Sequence, residues 1–191
     1  MNTTPAIRFE GFADPWEQRK LGEIGSIERG KRFTPADYVT ADGIPCIHYG
    51  QIYTVYGPVA TEAISQLRRD MAGQLHFAKP GDILLAGTSE DPDTVCKAVA
   101  WMGKTQVAYH DDSFAFSSNQ DSLFLTSYFQ SEAFRAQKDS VVYGVTVKRM
   151  NADALAKADI GLPSSKEQMA IGALFDNLDN LITLHLREPP Y

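Results

Sequence analysis

The feature that most constrains the fold of this chain is an amphipathic stretch at residues 162–187. Ser164 followed three residues later by Glu167 is a capping-box pattern, because each side chain can satisfy a free backbone N–H of the first helical turn. Beyond this cap, apolar residues recur at alternating spacings of three and four as far as His185, which is the spacing of a coiled-coil seam. The residues of the seam and its flank are Ile171, Leu174, Phe175, Leu178, Leu181 and Ile182. We therefore predict a long helix that presents these residues to a partner and ends before Pro189 and Pro190. The alternative is that the same face packs on the chain's own domain.

The composition, with 43% hydrophobic and 22% charged residues, is typical of a globular protein. The length of 191 residues is enough for one domain and an appendage. Cys46 and Cys96 are too few for a disulfide framework, which favours a reducing compartment. No apolar run is long enough to span a membrane and no signal-like segment opens the chain, so we expect a cytoplasmic location. The formal net charge of −6 argues against binding nucleic acid through a bulk positive field, but a local basic groove is compatible with it.

The order of sequence patterns predicts a mixed α+β fold. A buried strand is expected at 83–85, after the Pro80–Gly81 turn, and the alternation at 95–102 and 106–116 predicts a hairpin across Gly103 and Lys104. Helical spacing follows at 121–136, and a further helix is expected near 64–75. The sequence therefore predicts a β-rich domain with flanking helices and a C-terminal coiled-coil-type helix.

Positive residues beside glycine turns are the candidates for contact with phosphate. The densest cluster surrounds Gly30, where glycine allows a close approach of the backbone and three cations stand beside it. The alternative for such clusters is a solvated turn. A second glycine turn lies at Gly144 and a third at Gly103. The candidates for DNA contact, with one threonine as a neutral donor, are Arg29, Lys31, Arg32, Lys104, Thr146, Lys148 and Arg149.

Catalytic and metal-binding patterns are weak. Cys46 and His48 lie on the same face of an expected strand at 44–49 and could serve as nucleophile and base of a small hydrolase. No orienting acid is identifiable, however, and a packed thiol is the better interpretation. The four histidines are scattered, and the acidic loop at 90–94 lacks the pattern of a calcium loop. The sequence therefore predicts no catalytic residue and no metal site.

Four stretches, in the same order along nearly the whole chain, resemble the specificity subunit of type I restriction–modification enzymes. They read PAIRFEGFADPWEQRKLGEI, GDILLAG, YGVTVKRM and LPSSKEQMAIGALFDNLDNLITLH. A full subunit of that family has two target-recognition domains, each followed by a long helix, and the helices pair antiparallel to set the spacing between two half-sites. This chain resembles one such repeat. The resemblance divides it into a target-recognition domain at 1–162 and a conserved helix at 163–191.

The resemblance implies a non-catalytic, sequence-specific DNA-binding subunit that directs methylation and cleavage by other subunits. Its expected partners are double-stranded DNA, the methyltransferase (modification) subunit and, through it, the restriction subunit. S-adenosylmethionine, Mg²⁺ and ATP are expected on those partners, and no cofactor is expected on this chain. A single repeat could also form a homodimer through its helix and read a palindromic split site. The alternatives are a truncated module that binds the methyltransferase without DNA specificity and, with less support, the Cys46 hydrolase.

Overall fold

The structure is a computed structural model that describes residue 5 and residues 7–187, with side chains described as far as residue 183. The predicted stop of the last helix at Pro189 and Pro190 lies outside this part of the chain, as does the side chain of His185. The α-helices are α1 (Leu21–Ile24), α2 (Tyr49–Thr54), α3 (Ser122–Phe129), α4 (Glu132–Val141), α5 (Ala152–Ala156) and α6 (Ser165–Arg187), and 3-10 helices lie at Pro35–Asp37 and Arg69–Gln74. Among the helices described, none is both long and apolar enough to cross a membrane.

The strands complete a mixed α+β fold, which confirms the predicted class. They are β1 (Glu17–Lys20), β2 (Gly25–Arg29), β3 (Tyr38–Val39), β4 (Ile44–Ile47), β5 (Val59–Ala60), β6 (Ser65–Leu67), β7 (Phe77–Ala78), β8 (Ile83–Ala86), β9 (Thr88–Ser89), β10 (Ala98–Trp101), β11 (Val107–Tyr109), β12 (Ser113–Ser118), β13 (Lys148–Arg149) and β14 (Asp159–Leu162).

Two five-stranded sheets face each other at the centre of the fold, in the orders β2-β12-β8-β10-β5 and β3-β6-β4-β11-β7. Successive residues of a strand point to opposite faces, and β8 shows the result. Leu84 and Ala86 pack in the core between the sheets, whereas Ile83 and Leu85 pack on the other face with α3, α4 and α5. Strand β8 is therefore buried on both faces, as its continuous apolar run predicts.

The predicted hairpin at 95–116 is wrong. Strand β10 pairs with β8 and β5 in the first sheet, whereas β11 pairs with β4 and β7 in the second. The turn between them carries the chain from one sheet to the other. Gly103 makes this crossing possible because a Cβ there would overlap the Trp101 ring. Alternation indicates that each strand is buried, but it does not identify the strand with which each one pairs.

Two helix predictions also need correction. The segment at 121–136 forms two helices because Asp121 caps α3 and Ser131 caps α4, with each side chain accepting from a backbone N–H of the first turn. The segment at 64–75 begins as β6, whose Leu67 is fully buried beside Met71 and Leu75, and continues as a 3-10 helix. Pairing of β6 with β3 and β4 outweighs its helical spacing.

Helix α6 begins where the capping-box pattern predicts, but the box is only half formed. The Ser164 hydroxyl accepts from the backbone N–H of Glu167 at 3.4 Å. The Glu167 carboxylate instead binds Arg8 through two hydrogen bonds of 2.8 and 2.6 Å. This ion pair fastens the start of α6 to the N-terminal segment, and next to it β1 pairs with β14.

Candidate nucleic-acid interface

Arg29 and Arg149, which are 120 positions apart in the sequence, line one cleft of the folded chain. Arg29 is the last residue of β2, which pairs with β12, and Arg149 lies in β13, which pairs with β9. Strand pairing thus brings together four segments that sequence alone leaves separate. We call this the arginine cleft and define it by Arg29, Thr88, Asp112 and Arg149.

Asp112 lies between the two arginines. Its Oδ1 is 3.4 Å from Nη1 of Arg149 and 3.9 Å from Nη2 of Arg29. The Thr88 hydroxyl donates to the same oxygen at 3.2 Å. The Arg29 and Arg149 side chains remain 59% and 46% exposed, so both guanidinium groups are accessible to a ligand. Paired guanidinium groups suit a phosphate or the edge of a base, because their planar forks donate in fixed directions.

Lys31 and Arg32 continue from the cleft on exposed backbone after Gly30. Gly30 permits a close backbone approach, but to the chain itself, because a Cβ there would overlap the carbonyls of Tyr109 and His110. The N–H of Lys31 donates to the Tyr109 carbonyl at 3.2 Å. Glycine therefore fixes the direction of this cationic segment.

A closed turn carries the remaining candidates on the other side of the cleft. Tyr143 and Arg149 exchange two backbone hydrogen bonds, and Gly144 has a φ of +103°, a region that favours glycine. Thr146 is exposed in this turn, and the Lys148 ammonium donates back to the Gly144 carbonyl at 2.9 Å. The turn is therefore held rigidly next to the arginine cleft.

Lys104 lies apart from the other candidates. Lys104 follows Trp101 in the sequence, and the Trp101 carbonyl accepts a hydrogen bond from the backbone N–H of Gly81, which lies just before β8. Thr88 of the arginine cleft lies just after the other end of β8. The structure thus brings Arg29 and Arg149 together, places their sequence neighbours beside them, and leaves Lys104 at the opposite end of the sheet.

An aromatic cluster beside the cleft has no signal in the sequence. The rings of His48 and His110 lie 4.6 Å apart, and those of Phe33 and Tyr49 pack on them. The parallel pairing of β4 with β11 continues beyond Cys46–Ala108 and Ile47–Tyr109, so residues 48 and 110 fall in register. Burial lowers the pKa of both histidines, although the nearby carboxylates of Asp111 and Asp112 act in the opposite direction. Both rings are therefore favoured in the neutral form.

His110, Asp111 and Asp112 are close enough together to hold a metal ion. The Nδ1 atom of His110, however, already accepts from the backbone N–H of Asp112 at 3.1 Å. Two arginines also face the Asp112 carboxylate, and a metal ion would have to compete with them. The chemistry of this donor set does not favour a cation, and we assign no metal site to it.

The Cys46 and His48 side chains serve structural roles. Cys46 is fully buried in the core, and burial raises the pKa of its thiol to about 12, so the reactive thiolate is not available at neutral pH. His48 caps α2, its Nδ1 accepting from Gly50 at 3.1 Å. The pair therefore lacks the features of a nucleophile and its base.

The predicted partner face of α6 is largely open to solvent. Ile171 packs against the main core. The other five residues are between 42% and 61% exposed, and they are Leu174, Phe175, Leu178, Leu181 and Ile182. A contiguous apolar stripe of this kind is typical of a surface that binds another protein.

Comparison with known proteins gives one family and a consistent fold. A family model described as the type I restriction modification DNA specificity domain matches residues 13–189. No curated relative is similar enough to count as a match.

Solved structures resemble nearly the whole chain. One, on complex assembly and conformational transition of the type I R-M system, has 17% identity and a TM-score of 0.62 over 93% of this chain and 42% of that chain. The HsdS subunit from Thermoanaerobacter tengcongensis has 16% identity and a TM-score of 0.61 over 95% of this chain and 41% of that chain. The S subunit from M. genitalium has 14% identity and a TM-score of 0.56 over 95% of this chain and 44% of that chain. The chain thus spans less than half the length of these structures and shares their fold.

Proposed function

The chain belongs to the family of type I restriction modification DNA specificity domains, which implies recognition of a DNA sequence, and we propose that it is a non-catalytic specificity subunit that directs methylation and cleavage by partner subunits. The observation that carries the proposal is the convergence of Arg29 and Arg149 in one accessible cleft. Asp111 and Asp112 line the same cleft, so the local positive charge that a duplex requires in this acidic chain comes from the two arginines together with Lys31, Arg32 and Lys148 beside them.

The proposed DNA surface comprises the arginine cleft with Lys31 and Arg32 on one side and the turn bearing Thr146 and Lys148 on the other. Contacts to phosphate fix the register of a protein on DNA, whereas contacts to base edges give specificity. Lys148 and Thr146 sit on a rigid turn, which suits the first role. Lys104 is too far along the sheet to join the same contact, so we remove it from the proposed surface.

For the partner face, we propose that the exposed stripe of α6 binds the modification subunit, and through it the restriction subunit, or a second copy of this chain. Two copies would together approach the length of one of the solved subunits, since this chain spans 41–44% of each. A two-fold dimer would read a palindromic split site, because protein symmetry is mirrored in the DNA. The division into a recognition domain at 1–162 and a partner helix at 163–191 is part of this proposal.

The chemistry is assigned to the partners. S-adenosylmethionine, Mg²⁺ and ATP would be bound by the modification and restriction subunits, while this chain supplies only the choice of site. The proposal also locates the chain in the cytoplasm, where the DNA lies.

The experiment that tests this function is methylation of genomic DNA by the cognate modification subunit with and without the chain, followed by mapping of modified adenines. Modification confined to one split motif, and only when the chain is present, is the expected result. Replacing both Arg29 and Arg149 by Ala should abolish it, whereas Lys104→Ala is the matched control that should keep it.

The opposite result has a defined meaning. If the chain forms a complex with the modification subunit but no chain-dependent methylation appears, it is an interaction module without DNA specificity. The exposed stripe of α6 gives that second candidate its support, because the stripe does not depend on the arginine cleft. Salt-sensitive binding to a duplex separates the two functions.

A further inference from the structure

The arginine cleft already contains an anion, the Asp112 carboxylate, and its distances to the two arginines are long for a tightly bound ion pair. Oδ1 of Asp112 is the common neighbour of both arginines and of the Thr88 hydroxyl, at 3.4, 3.9 and 3.2 Å. Charge-assisted hydrogen bonds with good geometry are about 2.7–2.9 Å long. The carboxylate is therefore near both guanidinium groups without binding either one closely.

The ion pair of Arg8 with Glu167 in the same chain shows the contrast. There the two groups form a bidentate pair at 2.6–2.8 Å, and both side chains are largely buried. In the cleft, the arginines are about half exposed and Asp112 is 24% exposed. The first pair fastens two elements of the fold, whereas the second is accessible and loosely held, so it can be exchanged.

We propose that the Asp112 carboxylate occupies the place of a DNA phosphate between Arg29 and Arg149, so that a duplex must displace it in order to bind. This inference rests on the proposed function and assigns a phosphodiester group as the ligand of the arginine cleft. One oxygen shared by two guanidinium groups and a hydroxyl is the environment that a phosphate oxygen would find there.

The backbone allows the exchange without unfolding of the loop. The Asp112 carbonyl accepts from Gly87 at 2.8 Å, and its N–H donates to His110 at 3.1 Å, so the main chain is held on both sides. Only rotation of the side chain is needed to release Arg29 and Arg149 from the carboxylate, while Arg29 keeps its hydrogen bond to the Asp111 carbonyl and Arg149 its hydrogen bond to the Thr88 hydroxyl. The second carboxylate oxygen of Asp112 already lies on the side of His110, 3.8 Å from Nδ1.

The consequence is a lower affinity of the cleft for DNA of any sequence. A cleft of two unopposed arginines would bind the phosphates of any duplex, whereas a cleft that must first release its own carboxylate binds all duplexes less tightly. Because the cost of release is the same at every site, the ratio of affinities between a target and other DNA still comes from base contacts. Asp112 thus sets the overall affinity of the cleft for phosphate, and it acts through Arg29 and Arg149.

The test is the affinity of the full chain for a duplex of random sequence, measured by fluorescence anisotropy over a series of salt concentrations. Asp112→Asn keeps the shape of the side chain and its acceptor for Thr88 but removes the charge. We expect it to bind roughly tenfold more tightly than the unchanged protein, with a salt slope steeper by about one unit because the arginines are free to meet phosphate. Asp112→Ser should act in the same direction.

Two further variants make the comparison specific. Asp111→Asn removes the same charge from the same loop, but Arg29 contacts the backbone carbonyl of Asp111 and not its carboxylate, so the gain should be much smaller. Adding Arg149→Ala to Asp112→Asn should cancel the gain.

Equal or weaker binding by both Asp112 variants, or an equal gain from Asp111→Asn, would overturn the inference while leaving the proposed function intact. Absence of duplex binding by every chain would overturn it as well. The methylation experiment with the modification subunit then decides independently whether the proposed function also fails.

Discussion

Gly172 is the position at which helix α6 crosses the start of α3, and replacing it by Ala tests how rigidly the two are joined. A Cβ at this position would lie 2.6 Å from Oδ1 of Asp121, 2.8 Å from Cβ of Leu123 and 2.8 Å from the backbone nitrogen of Phe124. Asp121 cannot simply move away, because the same oxygen accepts from Phe124 at 2.8 Å and caps α3.

The expected change in the free energy of unfolding is the sum of opposing contributions. Ala in place of Gly inside a helix stabilises by about 1 kcal/mol. Overpacking costs about 1–3 kcal/mol, and a weakened N-cap costs about 1 kcal/mol more. The unfavourable terms exceed the favourable one, so we expect Gly172→Ala to lower the free energy of unfolding by about 1–3 kcal/mol.

Urea denaturation followed by circular dichroism measures this change. Asn177→Ala is the matched control, since this residue is exposed on the same helix and gains helix propensity without a new contact. If Gly172→Ala raises stability as the control does, α6 does not pack on α3 as closely as the distances indicate, and the reasoning is refuted.

Three further predictions concern other parts of the chain. The hydrogen bonds from Arg8 lower the pKa of Glu167, so this carboxylate stabilises the fold at pH values above its ordinary pKa and loses that effect as pH falls through the lowered value. Glu167→Gln should therefore reduce the urea midpoint at pH 7 and change it less at pH 3. An equal loss at both pH values would count against the ion pair. Replacing Leu178 and Leu181 by Glu should abolish self-association or binding to the modification subunit in light scattering, while an unaffected complex would place the partner face elsewhere. Burial raises the pKa of the Cys46 thiol to about 12, so the thiol should react with a thiol reagent only when the protein unfolds. Cys46→Ser should leave chain-dependent methylation unchanged. Loss of methylation in this variant would indicate a functional role for the thiol.

The sequence predicted α6 well because its signals are local. A cap and a repeated spacing of apolar residues lie within the stretch itself, and the exposed face of Leu174 and Leu178 has the predicted spacing. The role of Glu167 was not predictable, because its partner Arg8 is 159 residues away. The predicted hairpin at 95–116 is wrong for the same reason, because the sheet that a strand joins depends on its pairing with strands that are distant in the sequence.

The candidate site shows the same limit at the level of single residues. Arg29 and Arg149 each lie near a glycine turn that marks them as candidates, but nothing in either stretch indicates that they meet. Asp112 and His110 carry no sequence signal at all, since their position depends on the register of β11 with β4 and of β12 with β2. Local chemistry can identify a cation, whereas only the fold can show which anion faces it.

The attachment of α6 determines how the arginine cleft and the exposed apolar stripe are placed relative to each other. Arg8 holds Glu167, Gln168 accepts from the backbone of Asp121 at 3.1 Å, and Gly172 contacts α3, so the first two turns of the helix are fixed to the domain. The apolar stripe begins to be exposed only beyond them, at Leu174. A helix fixed at one end and open along the rest would hold the proposed partner in a constant orientation relative to the arginine cleft. If two copies pair along this stripe as proposed, the distance between their arginine clefts is therefore set by the helix and not by a flexible linker.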